Sequence, residues 1–366
     1  MKLLCFSDIH LTNRNSKFKK TGGVSDLLLR QEKYIDHIVE LADEKQVDAI
    51  LFLGDWTDYP TLDPVTLTYS NRLVKHLTDH SDYSGCPVIF IEGNHCISDR
   101  GNKFTVVGAT NELINHDSNT SFVYQPDFVS VGDVCFHCFP YSSDYPNLEA
   151  AIAATNDDLP VAALNIMLFH FPTVNAVLDN GLQSKKGVNL SAEITDNFDL
   201  IIGGDFHYHQ QLINNENAYY VGAPFSLRFG EHCDRGTVIF DIDVETKEYE
   251  LEFISNPHQF PIRKATYDEV MGMTDEELMN GVYRVLDLTD AQYLKLAALQ
   301  EKCYKLDISR PKIKKHIEEK VGFSGVTNSS RDVLLVQSRL ETTELNDTAK
   351  ENVTKLFETI KGEIDE

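Results

Sequence analysis

Acidic and imidazole side chains recur at five places in the first two hundred residues, each just after a short apolar run. They are Asp8-Ile9-His10, Gly54-Asp55-Trp56-Thr57-Asp58, Gly93-Asn94-His95, His170 and Gly203-Gly204-Asp205-Phe206-His207. Aspartate and asparagine offer hard oxygens and histidine offers a nitrogen, a donor set that suits divalent ions. Two such ions about 3.5–4 Å apart stabilise charge on both the attacking and the leaving oxygen of a phosphate, and a carboxylate must bridge them. Taken singly, each motif has a bland reading: Asp-x-His as surface decoration, Gly-Asp as a turn, a lone histidine as a satisfied core residue. Five of them in one order, each closing an apolar run, favour the metal reading.

The apolar runs must position these groups. Leu3–Phe6, Ala49–Leu53, Pro87–Ile91, Leu164–Phe169 and Asp199–Ile202 are short and unbroken rather than alternating, as strands buried on both faces read. Between the first two lies an amphipathic helix with Leu27, Leu28, Ile35, Ile38, Leu41 and Ala42 on one face. Strand, helix, strand implies an α/β domain, in which strand ends converge on one crevice. From about Phe122 to Phe139, and again from about Gln211 to Phe253, turn residues separate strand-like stretches, so the sheet is mixed. Asn214–Asn217 is expected to turn a hairpin between Gln211–Ile213 and Tyr219–Val221.

The apolar pattern breaks near Pro257–Pro261, where a boundary is expected. Beyond it, Tyr283–Leu288 reads as a strand, and Thr289 with Gln292 as a capping box opening a helix. A loop around Thr327–Ser330, a strand-like Val333–Val336 and a closing helix follow. That helix carries a stripe of Val353, Leu356, Phe357, Ile360 and Ile364, which docks on its own domain or on a partner.

A chain of 366 residues can bury a large core without staples. Its net charge of −24 repels polyphosphate, which counts against a simple electrostatic DNA binder and leaves any nucleic-acid contact to local basic patches, bound metal or a partner. No apolar run reaches the ~18 residues that would span a bilayer. Seven cysteines lie scattered in apolar runs, and Met1 leads directly into the first strand without a signal-peptide pattern, so a reducing cytoplasm is expected. Cys135 and Cys138 have redox or zinc spacing but no second pair, and read as core packing.

Two stretches are locally basic. Arg14, Lys17, Lys19 and Lys20 follow the first acidic motif, and Lys302, Lys305, Arg310, Lys312, Lys314, Lys315 and Lys320 cluster further on. Arg228 is a further candidate for gripping phosphate, with pairing to Glu231 as the alternative. Solvated faces are the competing reading for both stretches. No aromatic-interleaved basic stripe is present, so backbone recognition is expected rather than base readout.

The ordered motif set resembles the calcineurin-like metallophosphoesterase superfamily and, within it, the SbcD-type nuclease subunit of the SbcC–SbcD recombination and repair complex. The opening Met1–Leu11, Phe139-Pro140-Tyr141, and Gly222-Ala223-Pro224 with Phe229-Gly230-Glu231 are similar to that family's segments. The resemblance covers about residues 1–255 and is positional beyond. It implies a four-layer αββα sandwich nuclease domain over 1–257, a small α+β cap that contacts DNA over 258–325, and a partner-binding tail over 326–366. It also implies two Mn2+ ions, with Mg2+ as the other candidate. DNA, an SbcC-type SMC-like ATPase and a second copy of the chain are the implied partners.

Carried over residue by residue, Asp8, His10, Asp55 and His207 would hold one ion, and Asp55, Asn94, His170 and position 205 the other. His95 would protonate the departing oxygen. Asp205 departs from the usual histidine, though Gly-Asp-x-His also occurs among phage-like relatives, so a phage-encoded protein in a host cytoplasm is compatible. The aspartate favours manganese or magnesium over zinc. His209 competes for the role if the register shifts by two. Cys96 stands where the family commonly has Asp, so a carboxylate next to His95 is missing unless Asp99 substitutes. Two rivals remain: another phosphoesterase of the superfamily, such as a cyclic-nucleotide phosphodiesterase or protein phosphatase, and a scaffold with weak catalysis that binds DNA ends or an ATPase.

Overall fold

Alternation within the apolar runs accounts for the layering. In β1 (Lys2–Phe6), Leu4 and Phe6 enter one core while Leu3 and Cys5 enter another, because successive side chains leave a strand on opposite faces. β4 (Ala49–Phe52) divides the same way, with Ile50 and Phe52 against Ala49 and Leu51. So does β5 (Val88–Ile91), with Val88 and Phe90 against Ile89 and Ile91. Strands apolar on both faces need cover on both.

The protein, described by a computed structural model over residues 1–309 apart from 99–104, 113–117, 156–161, 179–180, 192–194, 213–214 and 232–233, supplies that cover with a second sheet and two sets of helices. The first sheet has the order β14 (Tyr249–Ser255), β13 (Gly236–Ile242), β1, β4, β5, β6 (Thr120–Val123). The second has the order β11 (Gln210–Gln211), β12 (Ala218–Tyr220), β10 (Leu200–Gly204), β9 (Leu164–His170), β8 (Val134–Phe139), β7 (Asp127–Val131). Both are mixed: β1, β4, β5 and β6 run parallel, β13 pairs antiparallel with β1 and β14 antiparallel with β13, and the second sheet carries antiparallel β7 and β11 at its edges.

Between the sheets, Leu3, Cys5, Leu51 and Ile89 meet Phe136, Ile166, Leu168 and Ile202. Outside the first sheet, α1 (Asp26–Lys45) and α2 (Pro64–Ser84) lay Leu28, Ile35, Ile38, Leu73 and Leu77 on Phe6, Phe52 and Phe90. Outside the second, Leu148 and Ile152 of α4 (Tyr145–Thr155) join Met167, Phe169 and Ile201. The result is the four-layer αββα sandwich. α3 (Val106–Asn111) precedes β6, and β2 (Lys20–Thr21) and β3 (Val24–Ser25) form a ribbon in the basic loop after His10.

The five motif-bearing strands do not share one sheet, as the sequence pattern suggests. β1, β4 and β5 lie in the first, β9 and β10 in the second. An unbroken apolar run shows that a strand is buried on both faces, but not which strand it pairs with.

The break near Pro257–Pro261 falls between β14 and β15 (Ile262–Lys264). From there α5 (Tyr267–Gly272), α6 (Asp275–Met279), β16 (Val282–Val285), α7 (Asp290–Leu299) and β17 (Lys305–Ile308) complete a parallel three-stranded sheet. It has its own core of Val270, Leu278, Tyr283, Val285, Leu296 and Leu306. Phe260, Ile262, Val282 and Tyr304 join the α1 side of the first sheet's core. β16 stops at Val285 rather than at Leu288, since Asp287 turns into the left-handed region at φ 56°. The capping box of Thr289 and Gln292 is present.

Cys135 and Cys138 are buried free thiols of β8, as core packing requires. Among the described residues no helix is long and apolar enough to cross a membrane. Ile213 and Asn214 of the hairpin, the cations Arg310–Lys320, Thr327–Ser330, Val333–Val336 and the closing apolar stripe lie outside the described residues.

Candidate metal centre

The ladder between β1 and β4 continues past both strands. Asp8 N donates to Gly54 O at 2.9 Å, His10 N to Asp55 O at 3.0 Å, and Leu11 N to Trp56 O at 2.9 Å. Asp8, His10 and Asp55 therefore rise side by side. All three take left-handed backbone, at φ 53°, 48° and 58°, as does Asp205 at 98°. Such conformations cost about 1–3 kcal/mol each in residues with a side chain, and persist where the surroundings over-determine them.

Two glycines let the sheets' ends meet. A Cβ on Gly54, itself at φ +100°, would lie 2.0 Å from His170 Nδ1, and one on Gly204 would lie 1.9 Å from Ser7 Oγ. The space serves a bond between sheets: His170 Nδ1 donates to Leu53 O at 2.6 Å. That contact turns His170 Nε2 toward Asn94 Oδ1 at 3.2 Å, Asp55 Oδ2 at 3.5 Å and Asp205 Oδ1 at 4.0 Å.

On the other side of Asp55, the Nε2 atoms of His10 and His207 approach to 3.1 Å. Asp8 Oδ1 lies 3.8 Å from the first and 3.9 Å from the second. Asp55 Oδ2 stands 3.6 Å from His10 Nε2 as well as 3.5 Å from His170 Nε2, so one carboxylate serves both groups. Its other oxygen accepts from His95 N at 2.9 Å. The sequence-selected Asp8, His10, Asp55, Asn94, His95, His170, Asp205 and His207 thus come together at one place.

These residues fit divalent ions. Asp8 Oδ1 is buried without a hydrogen-bond partner, and it faces two imidazole nitrogens that converge on the same point. Donor atoms of Asp8, His10 and His207, and of Asp8, Asp55 and His170, each lie within 4.8 Å of one another. A buried orphan oxygen beside converging nitrogens demands a proton or a cation.

Electrostatics say the same. Burial opposes charge on His170, yet Asp55, Asp8 and Asp205 raise it to about 10. Burial likewise opposes ionisation of Asp55, but His170 and then His10 and His95 hold it below the usual carboxylate range. His10 is driven well down by burial and by the neighbouring imidazoles, against Asp55. Asp205 is pushed up to about 6 by burial and by Asp8 and Asp55, against His170 and His207.

His209 is not part of the cluster. It bonds Tyr220 O at 2.9 Å and stacks on Phe253 at 5.0 Å. Cys96 is fully buried, and its sulfur accepts from Thr57 N at 3.4 Å; Asp99 lies outside the described residues. The acid beside His95 is instead Asp58, whose carbonyl accepts from Nδ1 at 2.9 Å and whose Oδ1 lies 3.7 Å from the same nitrogen. Sequence reasoning quoted Asp58 in its motif without giving it a role. It also missed Arg235, which no spacing pattern marks.

Arg228 is exposed and lines the cleft with Asp55, His95, Asp205 and His207. Glu231 pairs with Arg235 at 3.1 Å instead of with Arg228. Lys17 is half-buried, and its ammonium is lowered by burial and by Arg284, Arg228 and Lys305, against Glu231. The other loop cations face elsewhere: Arg14 lies 3.5 Å from Asp63, Lys19 sits over the Tyr304 ring at 4.8 Å, and Lys20 is exposed on β2. Lys305 donates to Ser16 O, and Arg284 stacks on Phe229 at 4.0 Å.

A search of curated proteins finds no match. Among solved structures, the chain is similar to TT1561 of Thermus thermophilus, at 13% identity and TM-score 0.40 over 69% of this chain and 98% of that one. It is similar to GAP50, the anchor in the inner membrane complex of Plasmodium, at 14% and 0.41 over 70% and 85%, and to a dimetal phosphatase from Danio rerio at 10% and 0.38 over 66% and 92%. The model of the calcineurin-like phosphoesterase family matches residues 1–209, a span that takes in every motif from Asp8 to His207. With these side chains assembled at one cleft, the chain belongs to the calcineurin-like phosphoesterases, a family of metal-dependent phosphoester hydrolases.

Proposed function

We propose that this chain hydrolyses DNA phosphodiester bonds with manganese, as exonuclease and single-strand endonuclease, in an SbcC–SbcD-like recombination and repair complex. The observation that carries the reading is the placing of cations. In a chain of net charge −24, Arg228 lines the metal cleft, and Lys17, whose ammonium is lowered first by burial, has Arg284, Arg228 and Lys305 near enough to lower it further. Local cations at the cleft of an acidic protein suit a polyanion held by its backbone.

Asp8, His10, Asp55 and His207 would hold one ion, and Asp55, Asn94, His170 and Asp205 the other. When bound, the ions supply Lewis-acid stabilisation of charge on the phosphate oxygens. Asp205 adds a hard oxygen where an imidazole would favour softer ions, which supports manganese or magnesium. His95 has its Nδ1–H held by Asp58 O, so Nε2 is the atom that delivers a proton to the departing oxygen. Arg228 presents planar donors to non-bridging oxygens. An SbcC-type ATPase and a second copy of the chain complete the proposed assembly, and the family resemblance alone supports them.

The test is direct: purified protein with manganese is offered duplex ends and single-stranded DNA, alone and with an SbcC-type partner. Cleavage of either is the expected result. No cleavage under any of these conditions overturns the reading, and fast turnover of small phosphodiesters or phosphopeptides with none of DNA assigns another phosphoesterase activity.

A further inference from the structure

At the cleft, His10 Nδ1 is buried without a hydrogen-bond partner, 3.7 Å from Asp58 Oδ1, whereas the other imidazoles each have one nitrogen held by a neighbouring group. For His170 it is Leu53 O and for His95 it is Asp58 O, both backbone carbonyls. His207 lies beyond the end of β10 in a segment without helix or strand, and the group facing its Nδ1 is Glu231 Oε1, at 3.5 Å. That oxygen is buried and otherwise without a hydrogen bond. A carboxylate only accepts, so this contact places the proton on Nδ1 and leaves the lone pair of Nε2 facing Asp8 and His10.

Glu231 is itself built in. Its other oxygen accepts from Leu227 N at 2.9 Å and pairs with Arg235 Nη2 at 3.1 Å. Arg235 is fully buried, donates Nε–H to Ser226 Oγ at 3.3 Å and gives Nη1–H to His207 O. Burying such a pair is unfavourable unless every donor and acceptor finds a partner, and here the partners are the backbone of His207 and the turn that carries Arg228.

We propose that Glu231, held by Arg235, is the positioning residue that fixes the His207 ring with Nε2 toward the metal cleft, and that the same carboxylate anchors the Leu227–Glu231 turn presenting Arg228. One buried ion pair thereby links a metal-binding side chain to a phosphate-gripping one. The inference rests on the metal reading of the cleft and not on DNA as the substrate.

The experiment uses the full chain. Nitrogen-15 histidine spectra in EDTA give the tautomer of His207, electron paramagnetic resonance titration gives Mn2+ affinity, and hydrolysis of bis(4-nitrophenyl) phosphate gives KM and kcat. The variants are Glu231→Gln, the double replacement Glu231→Leu with Arg235→Met, which leaves neither charge unpaired, and Arg228→Ala for comparison. Expected are an Nδ1-protonated His207 in the parent protein and a Mn2+ affinity about ten- to a hundredfold weaker in both Glu231 variants. Saturating Mn2+ then restores kcat while KM stays raised, as in Arg228→Ala. An Nε2-protonated His207, or Mn2+ affinity unchanged in Glu231→Gln, overturns the proposal. If the parent takes up no Mn2+, the metal reading fails by itself, and the tautomer still decides whether Glu231 orients the ring. Should the double variant not fold, Glu231→Gln carries both readouts.

Discussion

At the cleft, Asp8, His10, Asp55 and Asp205 hold left-handed backbone and Asp8 Oδ1 has no hydrogen-bond partner. In Ile262–Ile308 all three α-helices begin with reciprocal capping boxes, at Thr266 with Glu269, Thr274 with Glu277 and Thr289 with Gln292. One region breaks local rules and the other obeys them, with Asp287 its one left-handed residue that is not glycine. Strain and unpaired donors gather where a ligand is to be held, whereas a region whose groups satisfy one another locally needs none. Removing a group at the cleft should therefore cost function and spare the fold, and removing a cap should do the reverse.

The sharpest way to break that contrast is Asp55→Asn. Hydrolysis should fall to background and uptake of both ions should be lost, while calorimetry in EDTA shows no drop in melting temperature. A destabilised protein that still binds Mn2+ would make Asp55 structural. His95→Gln should lower kcat about a hundredfold to ten-thousandfold and leave the Mn2+ titration unchanged. Metal should also stabilise: at a hundred times its dissociation constant, each site adds about 2.7 kcal/mol, read as a rise of several degrees over the melt in EDTA. Equal melts with and without Mn2+ would contradict it.

Arg228→Ala tests the cationic rim. It should raise KM for DNA about tenfold, in line with a charged hydrogen bond, and reduce the salt dependence of binding by about one phosphate contact. The smallest effect belongs to the region that obeys the rules: Thr289→Ala should cost about 1 kcal/mol by chemical denaturation and leave hydrolysis untouched.

The cleft was more legible than the frame around it. Asp8, Asp55, Asn94 and His170 stand out in sequence because each follows an unbroken apolar run, and a run buried on both faces ends where a sheet ends. The division of those runs between two sheets was not legible, since Leu4 and Ile166 are equally apolar and neither names its neighbour. Asp58 was in view, but only the backbone path that brings its carbonyl to His95 gives it a role. Arg235 was invisible: nothing in a lone arginine before a strand says that its side chain is buried to 0% exposure beneath His207.

Gly54 and Gly204 set a limit on how this protein can be altered. A methyl group at Gly204 would overlap the backbone oxygen of Leu53 at 2.2 Å, and one at Gly54 would overlap the His170 ring at 2.0 Å, which could turn away only by giving up its bond to Leu53 O. Compensating replacements elsewhere would have to move a whole layer. A randomised library should accordingly recover almost any side chain on the exposed faces of α1 and α2, and only hydrogen at those two sites.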